Sequence, residues 1–286
     1  MGTREESVIK SCPIAERMRK RNDRLIQSQD SDRGILMHAG SRILVLGPVA
    51  VHAVNGAITY PTQMVARLLA CLAARIDRRV STATMATMLW GEDRHPSGSN
   101  VLQVHVSVAR KLVAPADIIF EANGYRLVAE PNILDSWWLE HHSHQAALAL
   151  GASDFPEAAR RAVDGCALWR GKPFDGLDEP EINAQAAALA ERHVQCRETL
   201  LEAQLGLASE AADFNDLIVA SQQLMMEHPL RESAARIHIR ALVAASRQGE
   251  AMAAYTSLAE RLRRSLGAAP SADTQRLAAQ LSGPHT

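Results

Sequence analysis

Strand-forming patterns in this chain stop near residue 130, and the periodic segments beyond that point have helical spacing. The stretch before it contains short β-branched runs, such as ILVLGPVAV over residues 43–51, and two Asn-Gly pairs typical of hairpin turns. A chain of 286 residues is longer than a typical single domain, which predicts two domains. The pattern therefore predicts a mainly α fold, with a small α+β part first and an all-α part second.

The first part has the element order of a winged helix-turn-helix. Strands over residues 43–51 and 57–60 predict a small antiparallel sheet that turns at Asn55-Gly56. Three helices follow, of which the second is capped by Ser81 and ends at Gly91. Residues 118–130 then predict two strands joined by a turn at Asn123-Gly124, which form the wing.

In the second part, pairs of helices repeat about every 34 residues, which predicts a tetratricopeptide-like stack. The predicted helices cover residues 135–150, 155–169, 179–208, 214–227, 230–246, 249–266 and 272–281. We expect Trp169 to lie in the core of this part. The predicted domains are a disordered or partly helical arm over residues 1–40, a winged helix over 41–130 and a helical domain over 131–286.

Charge is distributed unevenly between the two parts. Residues 42–130 contain nine Lys and Arg against six Asp and Glu, and residues 131–286 contain fourteen against twenty. A basic first part followed by an acidic second part fits a DNA reader attached to a protein-binding module. The sequence has no stretch near the ~20 apolar residues of a membrane span. Four scattered cysteines fit a reducing compartment, so we expect a cytoplasmic protein.

Five segments, taken in order, resemble the SARP family, in which an OmpR-type winged helix precedes a bacterial transcriptional activation domain. The segments are ILVLGPVAV, VSTATMATMLWGEDRHPSGSNVLQVHVSVARKL, NGYRL, ALWRGKPFDGL over residues 167–177, and HPLRE over residues 228–232. The pairs Leu266-Gly267 and Pro270-Ser271 match the family's last helices. The resemblance implies a DNA-binding activator that contacts RNA polymerase and binds direct repeats of double-stranded DNA as a side-by-side homodimer. It implies no cofactor.

The third predicted helix has two faces when residues 100–113 are placed at 3.6 residues per turn. Leu102, Val106, Ala109 and Val113 form the predicted core stripe. In the family, the opposite side of this helix enters the major groove. In this chain that side presents Asn100, Val101, Val104, His105, Ser107, Val108 and Lys111, with Arg110 at its edge. Four further arginines are predicted to contact DNA around this helix: Arg78, Arg79, Arg94 and Arg126.

The sequence departs from the family near the end of this helix. Where the family has a Ser, Arg, Leu, Arg series, this chain has Ser107, Val108, Ala109 and Arg110. An arginine can bond bidentately to guanine, whereas a valine can contact only the methyl group of thymine. The alternative hypothesis is therefore a helical-repeat protein-interaction scaffold whose winged helix no longer reads DNA specifically.

The sequence favours neither a metal site nor an enzyme. Histidines at positions 141, 142 and 144 are clustered, but no cysteine or further histidine accompanies them, which favours solvent-exposed side chains over a metal site. No nucleophile motif such as GxSxG occurs, and no catalytic constellation emerges from the pattern. The sequence therefore predicts a regulator without an active site.

Overall fold

The computed structural model describes residues 42–91 and 99–282, so the predicted arm over residues 1–40 lies outside the described residues. The described chain forms two compact units. Residues 42–144 and 164–195 form the winged-helix unit, and residues 145–163 and 196–282 form the helical unit. The predicted domain boundary at residue 130 stays a prediction. The compact unit that contains the first sheet also includes residues 131–144 and 164–195.

The winged-helix unit has the predicted order of strands and helices. Its elements are β1 (Arg42–Leu44), β2 (Ala50–His52), β3 (Ile58–Thr59), α1 (Gln63–Ala73), β4 (Val80–Ser81), α2 (Thr82–Trp90), α3 (Ser99–Val113), β5 (Asp117–Glu121) and β6 (Gly124–Val128). The first three strands pair antiparallel in order, and the second sheet has the order β4-β6-β5. The Oγ of Ser81 accepts a hydrogen bond from the Thr84 amide at 3.0 Å, which confirms the predicted cap of α2.

The core of the winged helix lies between α1, the two helices after it and the second sheet. Its fully buried side chains are aliphatic or sulfur-containing: Leu68, Leu69, Leu72, Met85, Leu89, Ile118 and Leu127. Aromatic residues make up only 4% of this chain, so aliphatic side chains fill this core. This packing fixes the orientation of α3 relative to the wing.

The wing turns one residue earlier than predicted. Its two-residue loop is Ala122-Asn123, both with positive φ, and Gly124 is already paired with Glu121 as the first residue of β6. Gly124 is instead required by close packing, because a Cβ there would lie 2.4 Å from the carbonyl oxygen of Val80 on β4. Strand β4 has only two residues and forms by this pairing, which explains why periodicity did not reveal it.

A buried carboxylate joins the first strand region to the helix that follows the winged helix. Asp135 begins α4 (Asp135–Gly151) and is 2% exposed. Its oxygens accept hydrogen bonds from the amides of Val45 at 2.7 Å and Leu46 at 3.1 Å. Arg170 lies 3.5 Å away, and burial raises the pKa of Asp135 to about 6 despite these partners.

The segment 170–175 forms hydrogen bonds with the same strand region. The amide of Arg170 donates to the Leu46 carbonyl at 2.8 Å, and the amide of Phe174 donates to the Val45 carbonyl at 2.8 Å. A Cβ at Gly47 would lie 2.9 Å from the Cβ of Arg170, so only glycine allows this approach. We call residues 45–48, Asp135 and residues 170–175 together the strand junction.

The strand junction corrects one sequence prediction. Helix α5 (Phe155–Cys166) ends three residues before Trp169, because the chain must extend to bond with the first strand region. Trp169 is half-buried rather than in the core, and its ring stacks on His193 with centroids 4.2 Å apart. After residues 170–175 the chain continues to the next helix, α6 (Pro180–Leu207).

The helical unit consists of helices joined by short connections, which makes neighbouring helices antiparallel. After α6 come α7 (Ala211–Glu227), α8 (Glu232–Ala244), α9 (Gln248–Leu266) and α10 (Ala272–Ser282). Alanines let α5 and α6 approach closely at Ala158, Ala159 and Ala203. Ala235 of α8 packs against two leucines of α9. This arrangement fits the tetratricopeptide-like stack predicted from the sequence.

Two charged residues of the HPLRE segment tie the helical unit together. The guanidinium of Arg231 donates two hydrogen bonds to Glu198 of α6, at 2.7 and 2.9 Å, in a bidentate pair. The carboxylate of Glu232 accepts from the amide and hydroxyl of Ser271, at 2.8 and 2.7 Å. The connection before α8 is therefore bonded both to α6 and to the start of α10.

We predict that Gly124→Ala destabilises the protein by about 1–3 kcal/mol, because the added Cβ forces β6 away from β4. Urea unfolding of the full chain measures this change. Gly249→Ala is the matched control, because a Cβ there meets nothing within 4 Å and alanine favours helix α9. Equal stability of the Gly124→Ala variant and the wild type would contradict the packing described for the wing.

We also predict a pH-dependent difference between the wild type and Asp135→Asn. The folded pKa of Asp135, about 6, exceeds the ordinary value of 3.8, so its contribution to stability is present below pH 3.8 and is lost as the pH rises through 6. The stability of the wild type minus that of the variant should therefore decrease across this interval, by on the order of 2–3 kcal/mol. Denaturant titrations at several pH values measure it, and a constant or growing difference would show that the amides of Val45 and Leu46 and the charge of Arg170 offset the effect of burial on this pKa.

Candidate nucleic-acid interface

Helix α3 buries one stripe and exposes the other, as the sequence predicts. Leu102, Val106, Ala109 and Val113 are at most 7% exposed. The opposite face is exposed to solvent, with these side chains: Asn100, Val101, Gln103, Val104, Ser107, Val108, Arg110 and Lys111. Gln103 was not among the predicted site residues, although the same helical spacing from Asn100 and Ser107 places it on this face.

Two of the predicted cations are available to a ligand. Arg78, in the turn after α1, and Lys111, in the last turn of α3, are exposed. Neither forms an ion pair within residues 42–91 and 99–282. Arg79 is also exposed, and its Nη1 donates to the carbonyl of Ala122 in the wing loop at 3.0 Å. The wing loop and the turn before α2 are thus held next to each other.

Arg110 has a structural contact at the end of α3. Its Nε donates to the carbonyl of Ile118 on β5 at 2.6 Å, and it lies 3.8 Å from Asp117. This bond holds the helix against the first strand of the wing. Its Nε is thereby engaged by the protein, although 43% of the side chain is exposed.

Arg126 is paired with two carboxylates on the wing. Its guanidinium lies 2.7 Å from Glu121 and 2.8 Å from Asp77, and the hydrogen bonds to these carboxylates raise its pKa. Two carboxylates offset its charge, so its contribution to an anion-binding surface is smaller than that of Arg78. The side chain of Arg126 instead connects the wing to the turn after α1.

Two predicted residues remain, His105 and Arg94. His105 is half-buried, and its ring centroid lies 6.4 Å from that of Trp90 at the end of α2. Arg94 lies outside the described residues. Phe120 on the wing is 57% exposed and was not predicted, because its position in the strand reads as a core position by alternation.

The clustered histidines have aromatic contacts. His141 stacks on Trp137 with ring centroids 5.0 Å apart, and His142 lies 5.8 Å from Trp138. Among the described residues, no group of His, Cys, Asp or Glu is arranged to hold a metal ion. The same part of the chain has no helix both long and apolar enough to span a membrane.

Comparison with known protein families shows to which family this chain belongs. The model of the bacterial transcriptional activator domain matches residues 134–282, which is more than half of the chain. The chain belongs to this family. The match begins one residue before Asp135, so the residue that binds the first strand region is part of the activator domain as the family defines it.

Proteins similar to this member of the bacterial transcriptional activator domain family are named as regulators. Regulatory protein AfsR of Streptomyces griseus is 27% identical over 229 residues, which are 80% of this chain but 23% of AfsR. Transcriptional regulator RedD of Streptomyces coelicolor is 29% identical, with 97% of this chain and 82% of RedD aligned. These relatives and the domain match confirm the predicted SARP-type resemblance.

A solved structure has a similar fold. Mycobacterium tuberculosis EmbR, in complex with a low-affinity phosphopeptide, superimposes with a TM-score of 0.74 at 26% identity. The similarity covers 85% of this chain and 65% of the EmbR chain, so EmbR contains a further part without a counterpart here. The shared region agrees with the predicted order of a winged helix followed by helices.

The contacts of Arg110 and Lys111 predict different effects of removing them. Arg110→Ala loses the bond to the Ile118 carbonyl and should lower the free energy of unfolding by about 1 kcal/mol. Lys111→Ala removes an exposed side chain and should leave stability unchanged. Urea unfolding of the two variants measures the contrast, and equal stabilities would show that the Arg110 bond is not formed in solution.

Proposed function

We propose that the protein is a sequence-specific DNA-binding transcription activator whose helix α3 enters the major groove. The observation that carries this proposal is the exposed face of α3, which lies opposite a fully buried stripe and ends in Lys111. A major groove about 12 Å wide admits one α-helix. The helix is held in place by α1, by Arg110 and by the second sheet, so it is presented as a rigid surface.

Cations around α3 supply the affinity for the phosphate backbone. Arg78 and Arg79 precede α2, and Arg79 also bonds the wing loop at Ala122. In a winged helix, contacts from these positions fix the register of the reading helix and carry no sequence information themselves. Lys111 reaches the backbone or a base edge at the other end of α3.

The helical unit is proposed to contact RNA polymerase. The match to the activator domain supports this assignment, as does the acidic balance of residues 131–286. We further propose that two copies bind side by side on direct repeats, in the cytoplasm. Complexes formed with duplexes that contain one or two selected repeats should then differ by the mass of one chain, and an unchanged mass would contradict the paired arrangement.

A second candidate is the protein-interaction scaffold with a degenerate winged helix. The observation that favours it is the exposed Val108, which stands where the family series has an arginine that would present charge, and which is followed by Ala109. A gel-shift assay with random genomic fragments separates the candidates. The activator retards a subset of fragments and activates a reporter fused to them, whereas the scaffold retards no fragment in preference to the others.

Replacing single cations provides a quantitative prediction. Arg78→Ala and Lys111→Ala should each weaken binding to all sequences and flatten the slope of log affinity against log salt by about 0.9 for each lost phosphate contact. Fluorescence anisotropy with a labelled duplex at several salt concentrations measures the slope. Arg263→Ala, an exposed cation on α9, is the control and should leave the slope unchanged.

A further inference from the structure

Three valines form an exposed stripe on α3. Val101, Val104 and Val108 are 40%, 60% and 43% exposed, and their spacing of three and four residues puts them on one side of the helix. The core of the winged helix is packed against the opposite stripe. Helix α3 therefore has two apolar stripes, of which only one is needed for folding.

Folding does not account for the exposed stripe. Valine is β-branched, loses side-chain freedom in a helix and favours helix formation less than alanine, lysine or glutamine. An exposed valine gains little burial in return. Side chains that oppose local preference without a gain in packing mark positions selected for a contact.

The surroundings indicate what the stripe contacts. Lys111 lies in the last turn of α3, and Arg78 and Arg79 are exposed in the same unit, beside the wing loop. These cations suit a phosphate backbone, whereas the Nε of Arg110 is bonded to the Ile118 carbonyl at 2.6 Å. The stripe itself presents no hydrogen-bond donor to a base edge. In the major groove, the apolar group that distinguishes one base from the others is the C5 methyl of thymine.

We propose that Val101, Val104 and Val108 determine sequence specificity by contacting thymine methyl groups, so that the ligand is a thymine-containing half-site in duplex DNA. This inference rests on the proposed function of α3. At 1.5 Å per residue, Val101 and Val108 are about 10 Å apart along the helix axis, which corresponds to about three base-pair steps of 3.4 Å. The exposed amide of Asn100 is suited to an adenine in the same half-site.

The test removes the methyl group from the DNA and from the protein separately. The full chain selects its highest-affinity duplexes from a library with a randomised core, and each thymine of a selected duplex is then replaced by deoxyuridine. Each contacted methyl should contribute roughly fourfold to wild-type affinity. Val104→Ala should lose a similar factor and become insensitive to replacement of the thymine that it faces.

Val219→Ala is the matched control, because this valine of α7 is 66% exposed and lies in the helical unit. It should bind every duplex as the wild type does. Val108→Arg provides a second arm: selection with this variant should replace a thymine by guanine at one position, since arginine bonds bidentately to guanine.

Two results would overturn the inference while leaving the proposed function intact. One is selective DNA binding that deoxyuridine and all three Val→Ala changes leave unaltered. The other is a change in oligomeric state on Val104→Ala without DNA, measured by analytical ultracentrifugation, which would make the stripe an interface between protein chains. Failure to bind any duplex would overturn the proposed function as well.

Discussion

The buried carboxylate of Asp135 is the contact on which the arrangement of the winged-helix unit depends. A carboxylate that is 2% exposed is tolerated because two backbone amides donate hydrogen bonds to it and the positive charge of Arg170 lies 3.5 Å away. Those amides belong to the chain between β1 and β2, and the segment 170–175 bonds the carbonyls of the same residues. The first sheet is thus completed by the activator domain, and helix α3 belongs to a unit that includes part of that domain.

The helical unit repeats this way of joining distant segments by a few polar bonds. Arg231 connects the HPLRE segment to Glu198 of α6, and Glu232 connects it to Ser271 before α10. The segments that suggested a family therefore have a physical reason to occur together. ILVLGPVAV and ALWRGKPFDGL bond to each other in one unit, while HPLRE and Pro270-Ser271 do so in the other.

Much of the fold follows from local pattern. Helical spacing separated the buried stripe of α3, with Val106 and Ala109, from its exposed face, and the cap at Ser81 was evident from residue type. Long-range pairing could not be predicted in this way. The turn of the wing depends on contact between Gly124 and β4, and the half-buried position of Trp169 depends on bonds to the first strand region. The pairing of Arg126 with Asp77, 49 residues earlier in the chain, likewise appears only when distant segments meet.

Hydrogen–deuterium exchange of the full chain, with and without a selected duplex, tests the central claim that α3 binds DNA from a rigid winged-helix unit. The amides of Val45 and Leu46 should exchange slowly in both states, because they donate to the buried Asp135. DNA should slow exchange in α3, in the turn that contains Arg78 and Arg79, and in the wing loop. Unchanged exchange in α3, with protection confined to α7–α10, would contradict the account.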